Sequence, residues 1–144
     1  MSFLEWTEEL SVQVPEMDRQ HQDLIGVINE LHDVMSDGKS LREKSAAISR
    51  LLKMAEWHFV NEEAMMYRIS YPQLQAHRTA HRRLIARVLE YKSDFDHPDS
   101  ATGPELLLFV KNWLIAHIQE ADRDYAQYVV RCHVDTQKLM VKTP

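Results

Sequence analysis

Apolar residues recur at steps of three and four along four separate segments of the chain, which is the spacing of one face of an α-helix. The first apolar stripe runs from Leu24 to Met35 and the second from Ile48 to Met66. The third runs from Leu74 to Phe95 and the fourth from Leu106 to Tyr125. The sequence has no strand-like alternation of apolar and polar residues, so the pattern predicts an all-α protein.

Turn-forming residues separate the four stripes. Gly38 is a predicted C-cap for the first helix, and Ser40 with Glu43 has the spacing of a capping box for the second. Pro72 suits the first turn of the third helix, and residues 96–104, DHPDSATGP, separate the third helix from the fourth. Long helices with short connections predict an antiparallel up-down four-helix bundle.

The 144 residues are expected to form one domain. Within it we expect an N-terminal arm at residues 1–16, the bundle at 17–128 and a C-terminal extension at 129–144. The extension carries Cys132 and His133, and the sequence assigns no function to either residue.

Charge and apolar run lengths limit the classes of partner. A net charge of −5 argues against nucleic acid or an anionic membrane as the main partner. The longest apolar run, LLLFVKNWLIAHI, has 13 residues and includes Lys111, so it is too short and too polar to span a bilayer. The lone Cys132 forms no internal disulfide, and no secretory signal is visible. We therefore expect a cytoplasmic protein, and a monomer because no apolar stripe is left over.

Histidines fall within the apolar stripes, where they are expected to be buried, and this indicates a functional site in the core. The polar residues concerned are His21, His58, Glu62, His77, His81 and His117. A step of four residues turns only about 40° around a helix, so His58 and Glu62 share a face, as do His77 and His81. One buried histidine is ordinarily a hydrogen-bonded core residue, as we expect for His32. Five imidazoles with a carboxylate in one small core favour a metal centre, and two ions fit so many ligands better than one.

Asp122 is a candidate seventh ligand with an irregular spacing. It follows His117 by five residues, and a step of five turns about 140° on a regular helix. A shared centre therefore requires a local widening, such as a π turn, or a bend between the two residues. The alternative is that Asp122 is a solvated carboxylate beside Arg123.

Taken in order, the candidate ligands form the pattern one His, then H-x3-E, H-x3-H and H-x4-D. The flanking words are DRQHQDLI, HFVNEEAMM, YPQLQAHRTAH and NWLIAHIQEAD. This pattern resembles that of the hemerythrins, especially the bacterial ones, over about residues 5–128.

The resemblance implies a non-haem di-iron site. One iron would be bound by His77, His81 and His117, and the other by His21 and His58. Glu62 and Asp122 would bridge the two irons together with an oxo or hydroxo group. Two octahedral ions would then have one coordination position free, on the iron with two histidines.

The function implied by the resemblance is reversible O2 binding for storage, transport or delivery. Carboxylate-rich di-iron oxidases use Glu-x-x-His pairs, and this sequence has none, so we expect a binding protein rather than an enzyme. The residues expected to line an O2 pocket are Leu24, Phe59, Trp113 and Leu114, each of which could equally be plain core. We expect Glu120 to point outward.

Three alternatives stay open at the level of sequence. The first is an O2, NO or redox sensor that acts through a partner protein, and such a redox or O2-accepting partner is not identified. The second is a di-iron peroxidase or iron oxidase. The third is a bundle that holds zinc or no metal.

Overall fold

A computed structural model describes residues 2–95 and 102–132, and this part of the chain is helical with no strand. A 3₁₀ turn at Glu8–Leu10 precedes the helices α1 (Pro15–Ser36), α2 (Leu41–Arg68), α3 (Leu74–Phe95) and α4 (Thr102–His117). A π-helical turn, Ile118–Asp122, joins α4 to α5, Arg123–Arg131. We treat α4, this π turn and α5 together as the fourth helix of the bundle.

Contacts between the helices close a ring, which confirms the predicted four-helix bundle. α1 lies against α2 and α4, while α3 lies against α2 and α4. The interior is filled by the predicted apolar stripes, and its largest fully buried apolar side chains are Met17, Leu31, Ile48, Met65, Met66, Leu106, Ile118 and Tyr125. Burial of this apolar surface is the main force that holds the four helices together.

The signals for helix ends are mostly confirmed. Gly38 follows α1 with a φ of +64°, a left-handed conformation that glycine adopts without strain. The Ser40 hydroxyl accepts a hydrogen bond from the Glu43 backbone N–H at 3.2 Å and so caps α2. Pro72 differs from the prediction, because it lies in the turn before α3, which begins two residues later at Leu74.

The N-terminal arm is docked onto α1. The backbone N–H of Leu4 donates to the Asn29 side-chain oxygen at 2.9 Å, and the Asn29 amide donates back to the Leu4 carbonyl at 2.8 Å. Farther along the arm, the Ser11 hydroxyl and the Val12 N–H donate to the carboxylate of Asp18 on α1 at 2.6 Å and 2.9 Å. These bonds hold the arm across one side of the bundle.

The predicted division of the chain and the expectations for His97 and His133 involve residues that the structure does not describe. Residues 96–101, with His97, and 133–144, with His133, lie outside the described residues, so the proposed division into arm, bundle and extension stays a prediction. None of the helices in the described part of the chain has the length and apolar character needed to cross a membrane.

Substitution of Ser40 by Ala tests the cap of α2. We expect the free energy of unfolding to fall by about 1 kcal/mol, because the Glu43 N–H loses its partner. Urea denaturation of the metal-free protein measures the change. Ser49→Ala is the matched control, since Ser49 is an exposed position inside the same helix. The free energy of unfolding of this variant should be unchanged or slightly higher. Equal losses in both variants would refute the capping role.

Candidate metal centre

All seven predicted ligands meet inside the bundle. α1 supplies His21, α2 supplies His58 and Glu62, α3 supplies His77 and His81, and the fourth helix supplies His117 and Asp122. None of them is more than 8% exposed, and His21 is completely buried. The spacing of four on α2 and on α3 places each pair on one helix face, as the sequence predicts.

The π turn explains the spacing of five between His117 and Asp122. It spans Ile118–Asp122 and begins directly after His117. In a π-helical turn the backbone bonds link residues five apart, so positions separated by five lie on the same side. The predicted local widening is confirmed, and Asp122 is 1% exposed rather than solvated.

The ligand atoms form two overlapping groups. In each group, atoms offered by the member side chains lie within 4.8 Å of one another. The first group contains His77, His81 and His117 with Glu62 and Asp122, and the second contains His21 and His58 with the same two carboxylates. The two carboxylates therefore belong to both groups, and the groups differ in their number of histidines.

Each shared carboxylate divides its oxygens between the two groups. Glu62 Oε1 lies 2.6 Å from His77 Nε2 and 3.2 Å from His81 Nε2, while Oε2 lies 3.2 Å from His58 Nε2.

Asp122 repeats this arrangement. Its Oδ1 lies 3.0 Å from His77 Nε2 and 3.1 Å from His117 Nε2, while its Oδ2 lies 3.0 Å from His21 Nε2. One oxygen of each carboxylate thus faces two imidazoles of the first group and the other oxygen faces one imidazole of the second group, so each carboxylate reaches both groups.

Hydrogen bonding among the described residues does not satisfy these atoms. Both oxygens of Asp122, Oε2 of Glu62 and both ring nitrogens of His21 are buried without a hydrogen bond, although nitrogen and oxygen atoms lie close by. Nε2 of His117 also lies 3.1 Å from Nε2 of His81 and 3.2 Å from Nε2 of His77. Unpaired buried polar atoms are rare and costly. Cations between them would satisfy the whole set, so the donor atoms fit a metal site.

The carboxylates and imidazoles also shift the pKa values of one another. Burial by itself lowers the pKa of His77, but close contacts with Asp122 and Glu62 outweigh it and raise this pKa to about 10. Burial likewise opposes the charge on Glu62, yet His58 and the other histidines hold the pKa of that carboxyl well below its usual range. Anionic carboxylates facing imidazoles form a strongly cation-binding centre.

Two of the histidines are oriented by hydrogen bonds from the ring nitrogen that faces away from the centre. One hydrogen-bond partner is neutral and the other is anionic. Nδ1 of His58 lies 2.5 Å from the side-chain oxygen of Gln20, a neutral partner. Nδ1 of His81 lies 2.9 Å from Glu63 Oε2, and Arg78 donates to the other oxygen of Glu63 at 3.1 Å. Such partners fix the ring orientation and leave Nε2 free to bind a metal.

Sequence reasoning missed Gln20, Glu63 and Arg78. Gln20 lies four residues before Leu24 and Glu63 four residues after Phe59, so helical spacing places both at the edge of a stripe. That signal was available in the sequence. Arg78 gives no such signal, because its role depends on contact between α2 and α3.

The four residues predicted to line an O2 pocket all border one small cavity. Leu24, Phe59, Trp113 and Leu114 line an apolar cavity of about 20 Å3 together with other aliphatic residues of α1 to α4. The Phe59 ring stacks on His81 with centroids 3.8 Å apart, and Trp113 stacks on His117 at 4.4 Å. The cavity therefore lies directly beside the cluster of ligand atoms. Glu120 is exposed, as expected.

The fold and site define a metal-binding four-helix bundle whose centre is built from histidines and carboxylates. The family of the Hemerythrin HHE cation binding domain matches residues 12–129. The chain is 32% identical over 129 residues to a bacteriohemerythrin of Pseudomonas aeruginosa, covering 90% of this chain and 83% of the relative. It is 27% identical over 120 residues to a myohemerythrin of Riftia pachyptila, covering 83% and 88%. A crystal structure of wild-type hemerythrin matches with a TM-score of 0.80 and 26% identity, covering 88% of this chain and 97% of that one. The chain belongs to the hemerythrin family.

The shifted pKa values predict how the metal-free protein responds to pH. A histidine with a raised pKa stabilises the fold below its unfolded value of about 6.5. For His77 this contribution is lost as the pH rises toward its folded pKa of about 10. We expect urea denaturation in the presence of a chelator to show falling stability from pH 6.5 upward. Zn²⁺ should remove most of this fall up to pH 9, because a cation replaces the protons. A His77→Gln variant with the same pH slope as the native metal-free protein would contradict the assignment.

Neutralising Glu63 tests the outer hydrogen bond to His81. We expect Glu63→Gln to weaken Zn²⁺ binding by about 10- to 100-fold, because the imidazole loses an anionic partner. Competition with a chelator at fixed pH measures the affinity. Glu56→Gln is the matched control, an exposed glutamate on the same helix that should bind Zn²⁺ unchanged. Equal affinities of the two variants would show that Glu63 has no such role.

Proposed function

We propose that this protein binds O2 reversibly at two iron ions held by the seven clustered residues. The observation that carries the proposal is the pair of unequal groups, with three and two histidines, that share Glu62 and Asp122. When bound, two ferrous ions would supply a coordination position and the electrons that make O2 binding possible. The polypeptide supplies the ligands, their orientation and the exclusion of water.

The ligand set supports two ions and one free position. Five imidazole nitrogens and two oxygens from each shared carboxylate give nine protein donors. Nine donors exceed what one six-coordinate ion accepts and leave three of the twelve positions on two ions. An oxo or hydroxo group shared by the ions would take one position on each and leave one free. The group with only His21 and His58 is the less filled, so the free position belongs to that side.

The apolar cavity supports a small uncharged ligand. Leu24 lies one helical turn after His21, and the Phe59 ring lies 5.8 Å from the ring of His58 and stacks on that of His81, so the cavity wall reaches both groups. A volume of about 20 Å3 holds one water-sized molecule, and an apolar lining offers water no hydrogen bonds. These properties favour O2 over anions or larger substrates.

The first test is to load the protein with Fe²⁺ anaerobically and titrate it with O2. We expect about two irons per chain and a visible absorption band that appears with about one O2 and disappears when O2 is removed, since one position is free. Irreversible oxidation without an O2-dependent band would overturn the proposal. Repeated consumption of hydrogen peroxide or Fe²⁺ would instead favour a di-iron enzyme.

Two variants test the sharing of ligands. Glu62→Ala should lose both ions, because Glu62 belongs to both groups, whereas His21→Ala removes a ligand from one group only and should keep one ion. Metal analysis after dialysis against a chelator gives the ratio, and circular dichroism confirms that both variants are folded. One tightly held ion in Glu62→Ala would show that Glu62 does not bridge.

A further inference from the structure

Among the residues that line the apolar cavity, Ile85 of α3 and Trp113 of α4 are half-buried and the others are buried, so a gas molecule must pass between side chains to reach it. Its residues on α1 are Leu24 and Ile28, both buried. On the opposite side the wall includes Phe59 of α2 and Ile85 of α3. Phe59 is buried, whereas Ile85 is only half-buried and so reaches toward the surface.

An open groove of about 320 Å3 lies outside this same wall, between α2 and α3. Phe59 and Ile85 line the groove as well as the cavity, so these two side chains separate one space from the other. The mouth of the groove is apolar, because Val60 and Leu89 at its edge are 61% and 49% exposed.

Two other surface clefts have no such relation to the cavity within the described part of the chain. One lies between the arm and α5, beside Val12 and Arg131, and the other lies beside the π turn, at Ala121. Neither cleft shares a lining residue with the cavity. Of these three surface spaces, the α2–α3 groove is the one separated from the apolar cavity by a single layer of side chains.

The two separating side chains differ in freedom of movement. The Phe59 ring is stacked on His81 with an interplanar angle of 7°, and it also contacts the ring of Trp113 edge-on at 6.0 Å. Moving Phe59 would break these ring contacts. Ile85 is half-buried and aliphatic, so a change of rotamer at this position breaks no ring stacking.

We propose that the α2–α3 groove is the access route by which small apolar gases such as O2 reach the cavity, and that Ile85 is its gate. The proposal rests on the proposed function in one respect, namely that O2 is the molecule that uses the route. It goes beyond that function in assigning the path and the residue that controls it.

The test measures access without metal, so it does not depend on O2 binding at iron. Trp113 lines the cavity, and in a Trp6→Phe/Trp57→Phe background it is the only remaining tryptophan. O2 that reaches the cavity quenches this fluorescence. Because Trp113 is half-buried, iodide, a charged quencher, measures quenching from the solvent side of the ring in every variant. The metal-free protein is used, and the Stern–Volmer constants are compared between variants.

Variants at Ile85 should change O2 quenching in opposite directions. We expect Ile85→Ala to raise the O2 quenching constant by about threefold, equivalent to a barrier lower by about 0.7 kcal/mol. Ile85→Phe should lower it, and iodide quenching should change little in either variant. The matched control is Ile28→Ala, which makes the same truncation in the cavity wall but away from the groove. Because Ile28 is buried, Ile28→Val and Ile85→Val replace this pair if Ile28→Ala does not fold.

Each result supports or overturns the route. A rise in Ile85→Ala that exceeds that of the control supports it, and equal effects at positions 28 and 85 overturn it. Stopped-flow measurement of O2 association with the iron-loaded variants then separates the two proposals. Changed quenching without any O2 binding retains the route and refutes the function, whereas O2 binding with unchanged quenching retains the function and refutes the route.

Discussion

The structure depends on bringing seven polar side chains together where water cannot reach them. A buried carboxylate or imidazole without a partner costs several kcal/mol, and here two carboxylates and five imidazoles share one interior. Hydrogen bonds leave several of their atoms unpaired. Cations bound at the centre would convert this cost into a stabilising interaction between all four helices, so metal binding and folding would support each other.

The two halves of the centre are built differently. One half has three histidines, and one of them, His81, contacts an anionic glutamate that is itself held by Arg78. The other half has two histidines, and the partner of His58 is the neutral amide of Gln20. An anionic partner makes an imidazole a stronger donor to a metal, so the two halves differ both in their number of histidines and in the charge of the side chain that orients one of them.

The bundle and the placement of five histidines and Glu62 on inward faces could be predicted because both follow from helical spacing, whereas spacing alone left Asp122 open between a ligand and a solvated carboxylate. Stripes at steps of three and four defined the helices, and the spacing of five between His117 and Asp122 required a local widening or a bend if both are ligands, of which the structure contains the first as a π turn. The bond from the arm to Asn29 and the contact of Arg78 with Glu63 depend on tertiary packing, which spacing does not describe. The four residues expected to line a pocket do border the cavity, but the sequence left open whether they enclose a space or a filled core, because the two differ only by small displacements of the same apolar side chains.

The π turn also determines the rotation of α5 about its own axis, and so which residues of α5 face the interior. It contains one residue more than a regular helical turn, and each residue of an α-helix accounts for about 100° of rotation. Loss of a single residue between His117 and Asp122 would turn α5 by that angle about its axis and carry Tyr125 and Val129, now buried, away from the interior. The ligand spacing therefore constrains the C-terminal part of the bundle against insertions and deletions, even where no residue touches the metal centre.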